Sequence, residues 1–323
     1  MANDLRPAGT GGTPASDAPV DVIGLGAACI DDVYYVPRLP TTDAASEKVP
    51  ITRHRRRAGG QAATTLAASA RLGLSARFAG ALGRDGDGEW LSDELAGLGI
   101  DVSWATGRDA STARAVIVVN ATDGERLVLW QRSPALTADL VQVSAAMDVG
   151  ARLLHVDDVD PLVAIDAARY ARSRGLPVTS DMDHVTPEIE RLFELVTVPV
   201  LAAHVPALLT GEPDWERALR QLGSRRQGPV YVTLGSSGAA VVDRGELLQV
   251  AAIGVTAIDA TGAGDVFRAG VVYGTLSGWP AGRTLTFANA AAGLSCRVEG
   301  AMSGAPTLDE VLAAAAQPTH RRL

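Results

Sequence analysis

Residues 259–267, with the sequence D-A-T-G-A-G-D-V-F, have the composition of a site for an anionic ligand. They follow an extended apolar segment, Leu247 to Ile258, and open an almost entirely apolar run, which predicts a strand, a glycine turn and a buried helix. The first N–H groups of such a helix favour an anion, and Gly262 and Gly264 would let it approach closely. Asp265 fits beside an anion if it takes a proton from a nucleophile that attacks phosphorus. In the alternative interpretation, Asp265 only stabilises the helix dipole.

Two further glycine motifs lie upstream. The run Gly59-Gly60-Gln61-Ala62-Ala63-Thr64 opens an Ala-rich helix, and residues 80–88 form a second glycine turn. Together with D-A-T-G-A-G-D, these motifs resemble those of the PfkB/ribokinase family of sugar and nucleoside kinases, over about residues 20–312. The pattern is most similar to the sulfofructose-kinase/ketohexokinase-like branch. Ala260 stands where the family has Thr, and Thr64 where it commonly has Asn.

The resemblance implies a ribokinase-like α/β fold, a three-layer sandwich with a central, mostly parallel sheet and a small β-sheet lid. The sequence also supports this fold, because short β-rich runs alternate with helical stretches. The β-rich runs are 153–156, 178–181, 198–202 and 230–234, and the helical stretches are 161–173, 187–195 and 215–225. We expect a disordered leader at 1–19, a kinase domain at 20–316 with the lid at about 31–57 and 111–132, and a C-terminal tail at 317–323.

The resemblance also implies the site residues. Asp265 would be the general base, and Gly262, Ala263 and Gly264 would stabilise the transferring phosphoryl group. The residues expected at the substrate are Asp31, Gly59, Gly60, Gln61 and Thr64, with Trp130 and Arg132 as lid residues that could equally pack within the lid. The residues expected at the nucleotide are Thr233, Gly235, Gly238, Thr261, Asn289 and Gly293, with helix packing as the alternative for Asn289.

The expected cofactors are ATP and Mg²⁺, with K⁺ as a candidate. The family's N-x-x-E motif, whose Glu organises water around Mg²⁺, is replaced here by Ala202 and Val205. We therefore expect either that nucleotide phosphates and water hold Mg²⁺, with no direct protein ligand, or that activity is weak. Asp181 and Asp183 are candidates for contact through water, and Asp259 lies near the candidate K⁺ site.

Composition and charge limit the other classes of function. The net charge of -8 argues against a general nucleic-acid binder, and no apolar run is long enough to span a bilayer. The glycines of Gly24-Leu25-Gly26 lack the third glycine of a dinucleotide site. His155, Asp157, Asp158 and Asp160 fit a polar strand end better than a metal site. We expect a cytoplasmic enzyme whose partners are a sugar and ATP, without nucleic acid or membrane, and the resemblance implies a homodimer through the lid.

The expected function is ATP-dependent phosphorylation of a sugar or sugar-derivative hydroxyl. The alternatives are a nucleoside kinase and a catalytically weak regulator that binds sugar or nucleotide. The low aromatic content of the expected lid favours a sugar over a nucleoside. A basic run at 53–57 precedes the substrate glycines, and either holds an anionic substrate or coats the lid. Strand alternation predicts Arg53, Arg55 and Arg57 on one face, and His54 and Arg56 on the other.

Overall fold

A computed structural model describes residues 16–40, 48–122, 125–316 and 320–322. Most of the predicted leader, and residues 123–124 of the predicted lid, lie outside these residues. The strands are β1 (Val20–Leu25), β2 (Cys29–Val36), β3 (Arg53–Gly59), β4 (Ala76–Phe78), β5 (Ala81–Gly83), β6 (Ile100–Asp101), β7 (Thr106–Arg108), β8 (Arg114–Asn120), β9 (Arg126–Gln131), β10 (Ala151–Val156), β11 (Val178–Ser180), β12 (Val200–Ala202), β13 (Val230–Thr233), β14 (Ala239–Asp243), β15 (Glu246–Val250) and β16 (His320–Arg322). The helices are α1 (Gln61–Arg71), α2 (Gly86–Gly97), α3 (Leu140–Val149), α4 (Pro161–Ser173), α5 (Ile189–Leu195), α6 (Val205–Thr210), α7 (Trp215–Ser224), α8 (Ala263–Leu276), α9 (Ala281–Ser295) and α10 (Leu308–Ala315).

The central sheet consists of two five-stranded halves. One half has the order β11-β10-β1-β4-β6 and is parallel throughout, and the other has the order β12-β13-β14-β15-β16. Parallel bridges from Thr179 to Val198 and from Met182 to Leu201 join the halves at β11 and β12. Strands β13 to β16 pair antiparallel at the far edge. The sheet is therefore mostly parallel, as predicted.

Helices cover both faces of this sheet because its strands carry apolar side chains on both sides. Ile23 and Leu154 point into a core shared with α4, whereas Val22 and Leu153 point into a second core shared with Leu66 of α1. Helices α1, α8, α9 and α10 form one outer layer, and α3 to α7 form the other. The predicted three-layer sandwich is confirmed.

The lid is a four-stranded sheet with the order β3-β2-β8-β9. Its register places Arg57, Asp31, Ala115 and Trp130 side by side across the four strands. We call the lid face that carries Asp31 the inner face. Arg53 and Arg55 also lie on the inner face, opposite Tyr35 and Val33, whereas His54 and Arg56 lie on the outer face.

The prediction of an extended strand from Leu247 to Ile258 was wrong in part. The strand ends at Val250, and the following residues form no regular structure up to the glycine turn. They are held on α9, because Asn289 Nδ2 donates to the Ala251 carbonyl at 2.8 Å and the Ile258 N–H donates to the Cys296 carbonyl at 2.7 Å. Because this segment is hydrogen-bonded to α9, its backbone does not pair with a neighbouring strand.

The C-terminal residues 320–322, within the predicted tail, pair with β15 and form the edge strand β16. In the described part of the chain, no helix is both long and apolar enough to cross a membrane.

Candidate functional site

The glycine turn adopts a conformation that requires a glycine at position 262. Gly262 precedes α8 with φ 72°, and a Cβ there would lie 2.1 Å from Ala301 Cβ, so a larger residue would be both strained and blocked. A Cβ on Gly264 would lie 2.6 Å from Nη1 of Arg268. The Ala263 N–H donates to the Ala260 carbonyl at 3.3 Å, which is a long hydrogen bond. The turn thus places the positive end of the α8 dipole at this site. One of its N–H groups, that of Ala263, is already engaged in a weak hydrogen bond within the turn.

Asp265 lies in the first turn of α8. Burial raises the pKa of its carboxyl group to about 7, and the charges of Asp157 and Asp183 act in the same direction. Arg268 and a hydrogen bond from Asp181 oppose this shift. A carboxyl group with a pKa near neutrality is suited to take a proton at physiological pH. This pKa is compatible with the predicted role of Asp265 as a general base, which remains a prediction.

Asp31 and the substrate glycines meet at the base of the lid. A Cβ on Gly59 would lie 2.2 Å from Asp31 Oδ2, so the missing side chain provides the space for this carboxylate. The Cys29 thiol donates to Asp31 Oδ1 at 3.4 Å. Burial raises the pKa of this thiol, and the charges of Asp31 and Asp265 raise it further. The base of the lid thus holds Asp31 between Gly59 and Cys29.

Helix α1 brings the remaining substrate candidates to the same place. Gly60 precedes α1 with φ 101°, and a Cβ there would lie 2.6 Å from the Ala27 carbonyl oxygen. Thr64 is 1% exposed, and its Cγ2 atom lies 3.4 Å from the Cβ position at Gly262. Gln61 is the first residue of α1. The motif at 59–64 thus packs against the glycine turn, although the two are far apart in the sequence.

A cavity of about 420 Å³ lies between the lid and the connection before α8. Its walls include Asp31, Tyr35 and Arg57 of the lid, Thr261 of the turn, and Glu299 of the loop after α9. Asp265 is not among the lining residues. Asp31 lines this cavity and is hydrogen-bonded to Cys29.

The two lid candidates have different environments. Trp130 lies on the inner face in line with Asp31, and 75% of its side chain is exposed. Arg132 instead forms an ion pair with Asp160 at 2.9 Å and also donates to the Leu136 carbonyl. The structure thus leaves Trp130 available on the inner face and places Arg132 in a packing contact outside the cavity.

The nucleotide candidates lie at the carboxyl end of β13 and on α9. Gly238 has φ 95°, and a Cβ there would lie 2.0 Å from the Val250 carbonyl oxygen. Thr233 ends β13, and Gly235 begins a 3₁₀ turn. A Cβ on Gly293 would lie 2.3 Å from Ile253 Cγ1. Asn289 and Gly293 therefore hold the segment after β15, which is the packing role given above as the alternative for Asn289.

The candidates for cation binding are already in contact with protein groups. The Asp259 carboxylate accepts from the N–H groups of Thr261 and Gly300, each at 2.9 Å. Burial disfavours its charge, but these hydrogen bonds outweigh burial and lower the pKa. Asp181 contacts Arg268 at 2.5 Å. Within the described ranges, no group of three or more His, Cys, Asp or Glu residues could hold a metal ion.

Three charged residues that sequence analysis did not assign also belong to this site. Arg126 of β9 donates to the Thr261 hydroxyl at 2.6 Å, Glu299 lines the cavity, and Arg268 contacts Asp181. Each acts through a contact between distant parts of the chain, and the sequence carries no signal for such contacts.

Comparisons with known proteins show the family to which the chain belongs. The family model described as "pfkB family carbohydrate kinase" matches residues 21–308. The ATP-dependent ribose-1-phosphate kinase of Halopiger xanaduensis is 29% identical over 91% of this chain and 97% of its own length. The acarbose 7(IV)-phosphotransferase of an Actinoplanes species is 30% identical over 88% of this chain and 95% of its own length.

Solved structures show the same fold. The structure of Arabidopsis thaliana ribokinase complexed with ribose and ATP matches with a TM-score of 0.79 and 25% identity, and it covers 93% of this chain and 100% of its own. The family match spans the lid, the glycine turn and Asp265 alike. The chain therefore belongs to the pfkB family of carbohydrate kinases and is an ATP-dependent carbohydrate kinase.

Proposed function

We propose that the protein transfers the terminal phosphoryl group of ATP to a hydroxyl of a sugar or sugar derivative that binds beneath the lid. The observation that carries this proposal is the position of Asp265. Its carboxyl group lies at the N-terminus of α8, with a pKa raised by burial to about 7. A base of this strength next to the positive end of a helix suits the transfer of an anionic group to a hydroxyl.

In the proposed reaction, Asp265 takes the proton of the sugar hydroxyl as that oxygen attacks phosphorus. The N–H groups at the start of α8, chiefly that of Gly264, stabilise the charge on the transferring phosphoryl group. Ala263 contributes once its 3.3 Å bond to the Ala260 carbonyl gives way. Thr233, Gly235, Gly238 and Thr261 are proposed to contact the nucleotide.

The proposed substrate site is the inner face of the lid together with Asp31, Gly59, Gly60, Gln61 and Thr64. Tyr35 lines the cavity, but the Arg53 guanidinium lies 3.8 Å from the centre of its ring and covers that face. Arg53 competes with a nucleoside base for this ring, but the exposed Trp130 on the same inner face offers another, so the substrate screen decides between a sugar and a nucleoside. The narrower similarity to the sulfofructose-kinase-like branch remains a prediction.

For Mg²⁺, we propose that the ion arrives with ATP and is held by phosphates and water. Two observations support this: Asp181 is engaged by Arg268, and the N-x-x-E position carries Ala202 and Val205. Titration of the nucleotide-free protein with Mg²⁺ in a calorimeter should give no binding heat, and tight binding would contradict the proposal. A K⁺ requirement near Asp259 is tested by comparing rates in potassium and sodium salts.

The proposed function is tested by a screen for ADP release with ketoses, aldoses, sugar acids, sugar phosphates and nucleosides. We expect steady ADP release with at least one sugar, and release that is slower by at least about 10²-fold with the Asp265→Asn variant. A nucleoside as the best substrate would favour the nucleoside-kinase alternative. Binding of sugar or ATP without turnover would favour the regulator.

A further inference from the structure

A buried aspartate holds a histidine at the carboxyl edge of the central sheet. His184 lies just after β11, and its Nδ1 atom is 3.2 Å from Oδ1 of Asp158, whose side chain is fully buried. The other carboxylate oxygen of Asp158, Oδ2, accepts from the N–H groups of Asp183 and His184, each at 2.6 Å. These three hydrogen bonds fix the backbone at His184 and hold its ring.

The same segment is also held from the strand on its other side. His204 follows β12, and its Nε2 atom donates to the Asp183 carbonyl at 2.7 Å. Since β10 and β12 flank β11, Asp158 and His204 hold residues 183–184 from both sides. His184 is therefore fixed in place, although 63% of its side chain is exposed.

The ring of His184 combines a positive charge with a free hydrogen-bond donor. Its hydrogen bond to Asp158 raises the pKa of His184 to about 9, so the ring is cationic at neutral pH. A cationic imidazole donates from both of its nitrogens. Nδ1 contacts Asp158, whereas Nε2 has no protein partner in the part of the chain that the structure describes. A cation that is held in this way is suited to bind an anion.

The strand register shows what lies beside this cation. Leu201 of β12 pairs with Met182 on one side and with Val232 of β13 on the other. The next residue of each strand lies one step closer to the carboxyl edge, and ligands of α/β sheets bind outside this edge. These next residues, side by side over two strand spacings of about 5 Å each, are Asp183, Ala202 and Thr233.

His184 and Thr233 thus lie at opposite ends of one short row. His184 directly follows Asp183 at the β11 end, and Thr233, which is proposed to contact the nucleotide, lies at the β13 end. Ala202 between them carries only a methyl group, so β12 contributes no bulky side chain at this level. A phosphate chain that begins near Thr233 can therefore extend along the edge toward His184.

We propose that His184, held by Asp158, binds the phosphate groups of ATP through the N–H group at Nε2. This inference rests on the proposed function, because it takes the nucleotide to lie at the ends of β12 and β13. The charge of His184 stabilises the phosphates at the edge where the N-x-x-E position carries Ala202 and Val205. In the alternative, the ion pair only closes the loop after β11 and contributes little to stability.

The test is calorimetric titration of the wild type, His184→Ala and His184→Lys with MgATP and, separately, with adenosine, without a sugar. We expect Kd for MgATP to rise by about fivefold to thirtyfold in His184→Ala, as for the loss of a hydrogen bond between charged groups. This loss should be smaller at high salt, because salt screens the charges. Kd for adenosine should not change, since adenosine has no phosphate. His184→Lys keeps a positive charge and should restore most of the affinity for MgATP.

The matched control is His54→Ala. His54 is also a partly exposed histidine paired with an aspartate, at 3.2 Å from Asp32, but it lies on the outer face of the lid. Its replacement should leave Kd for MgATP unchanged. An unchanged Kd for MgATP in His184→Ala, or an equal loss of affinity for adenosine, would overturn the proposal. A wild type that binds MgATP but releases no ADP with any sugar would instead contradict the proposed function, so the two failures are distinguishable.

Discussion

Arg126 Nη1 lies 2.6 Å from the Thr261 hydroxyl, and this contact joins the edge strand of the lid to the turn before the catalytic helix. Arg126 and Thr261 both line the cavity. The contact therefore joins the lid to the main domain at the wall of the cavity.

We expect Arg126→Met to raise KM for the sugar by about threefold to tenfold, because the lost contact corresponds to about one net hydrogen bond. KM for ATP should change less than KM for the sugar, because Thr261 itself is kept. Arg84→Met, which removes a surface arginine paired with Asp109, is the matched control. Steady-state ADP release with the best sugar measures both constants. An unchanged KM for the sugar would show that the contact does not support sugar binding.

The charged residues of the cavity should determine whether the enzyme prefers an anionic or a neutral sugar. Glu299 lies between two inner-face arginines, at 2.5 Å from Arg53 and 3.1 Å from Arg57. If these arginines hold an anionic substrate, Arg57→Ser should raise KM for anionic sugars alone, and Glu299→Gln should lower it. Both effects should be larger at low salt, because salt screens charges.

The control for this pair is Arg56→Ser. Arg56 lies on the outer face, with Asp87 and the Trp90 ring as its partners. Its replacement should leave KM unchanged for anionic and neutral sugars alike. If Arg57→Ser and Glu299→Gln also leave every KM unchanged, the arginines only support the lid, and the best substrate is neutral.

Strand β9 should form the contact between two subunits. It is the edge strand of the lid, and Leu127, Val128, Leu129 and Trp130 are each more than two-fifths exposed. An exposed apolar edge strand is a typical pairing surface. We expect a dimer by light scattering, and a monomer for Leu129→Asp. Leu162→Asp, an equally exposed leucine on α4, should stay dimeric. A monomeric wild type would contradict this prediction.

The elements that depend on residues close together in the chain could be predicted from the sequence. Pro161–Ser173 is a helix as predicted, because a proline at its first turn and an apolar stripe both lie within the segment. The N-terminus of α10 is likewise set by a capping box between Thr307 and Glu310. The glycine turn and its φ of 72° at Gly262 follow from residue type.

The contacts that depend on distant residues could not be predicted. Nothing in the sequence places Asp181 beside Arg268, or separates β15 from the segment of similar composition that packs on α9. For Arg132, position at the end of a lid strand suggested a sugar contact, whereas its partner Asp160 becomes apparent only in the fold.

The raised pKa of Asp265 also predicts a change in stability with pH. Its pKa in the folded state, about 7, lies above the usual value of 3.8, so between these values the folded state binds more protons than the unfolded state. The wild type therefore loses stability as pH rises through this window. The amide introduced by Asp265→Asn does not titrate. As pH rises through the window, the free energy of unfolding of the variant should therefore increase relative to that of the wild type, by up to about 1.4 kcal/mol per pH unit.

Urea denaturation of both proteins at about pH 5.5 and about pH 8 measures this difference. The advantage of the variant should grow between the two values and level off above about pH 7. An advantage that is independent of pH would mean that the carboxyl group titrates near its ordinary value.

The most direct test of the account is the turnover of Asp265→Asn with the best sugar from the screen. The variant should fold and bind ATP as the wild type does, and kcat should fall by about 10²- to 10⁴-fold, the usual contribution of a general base. Asp309→Asn, the same change at the exposed start of α10, should keep wild-type turnover. A wild-type kcat in Asp265→Asn would contradict the central claim.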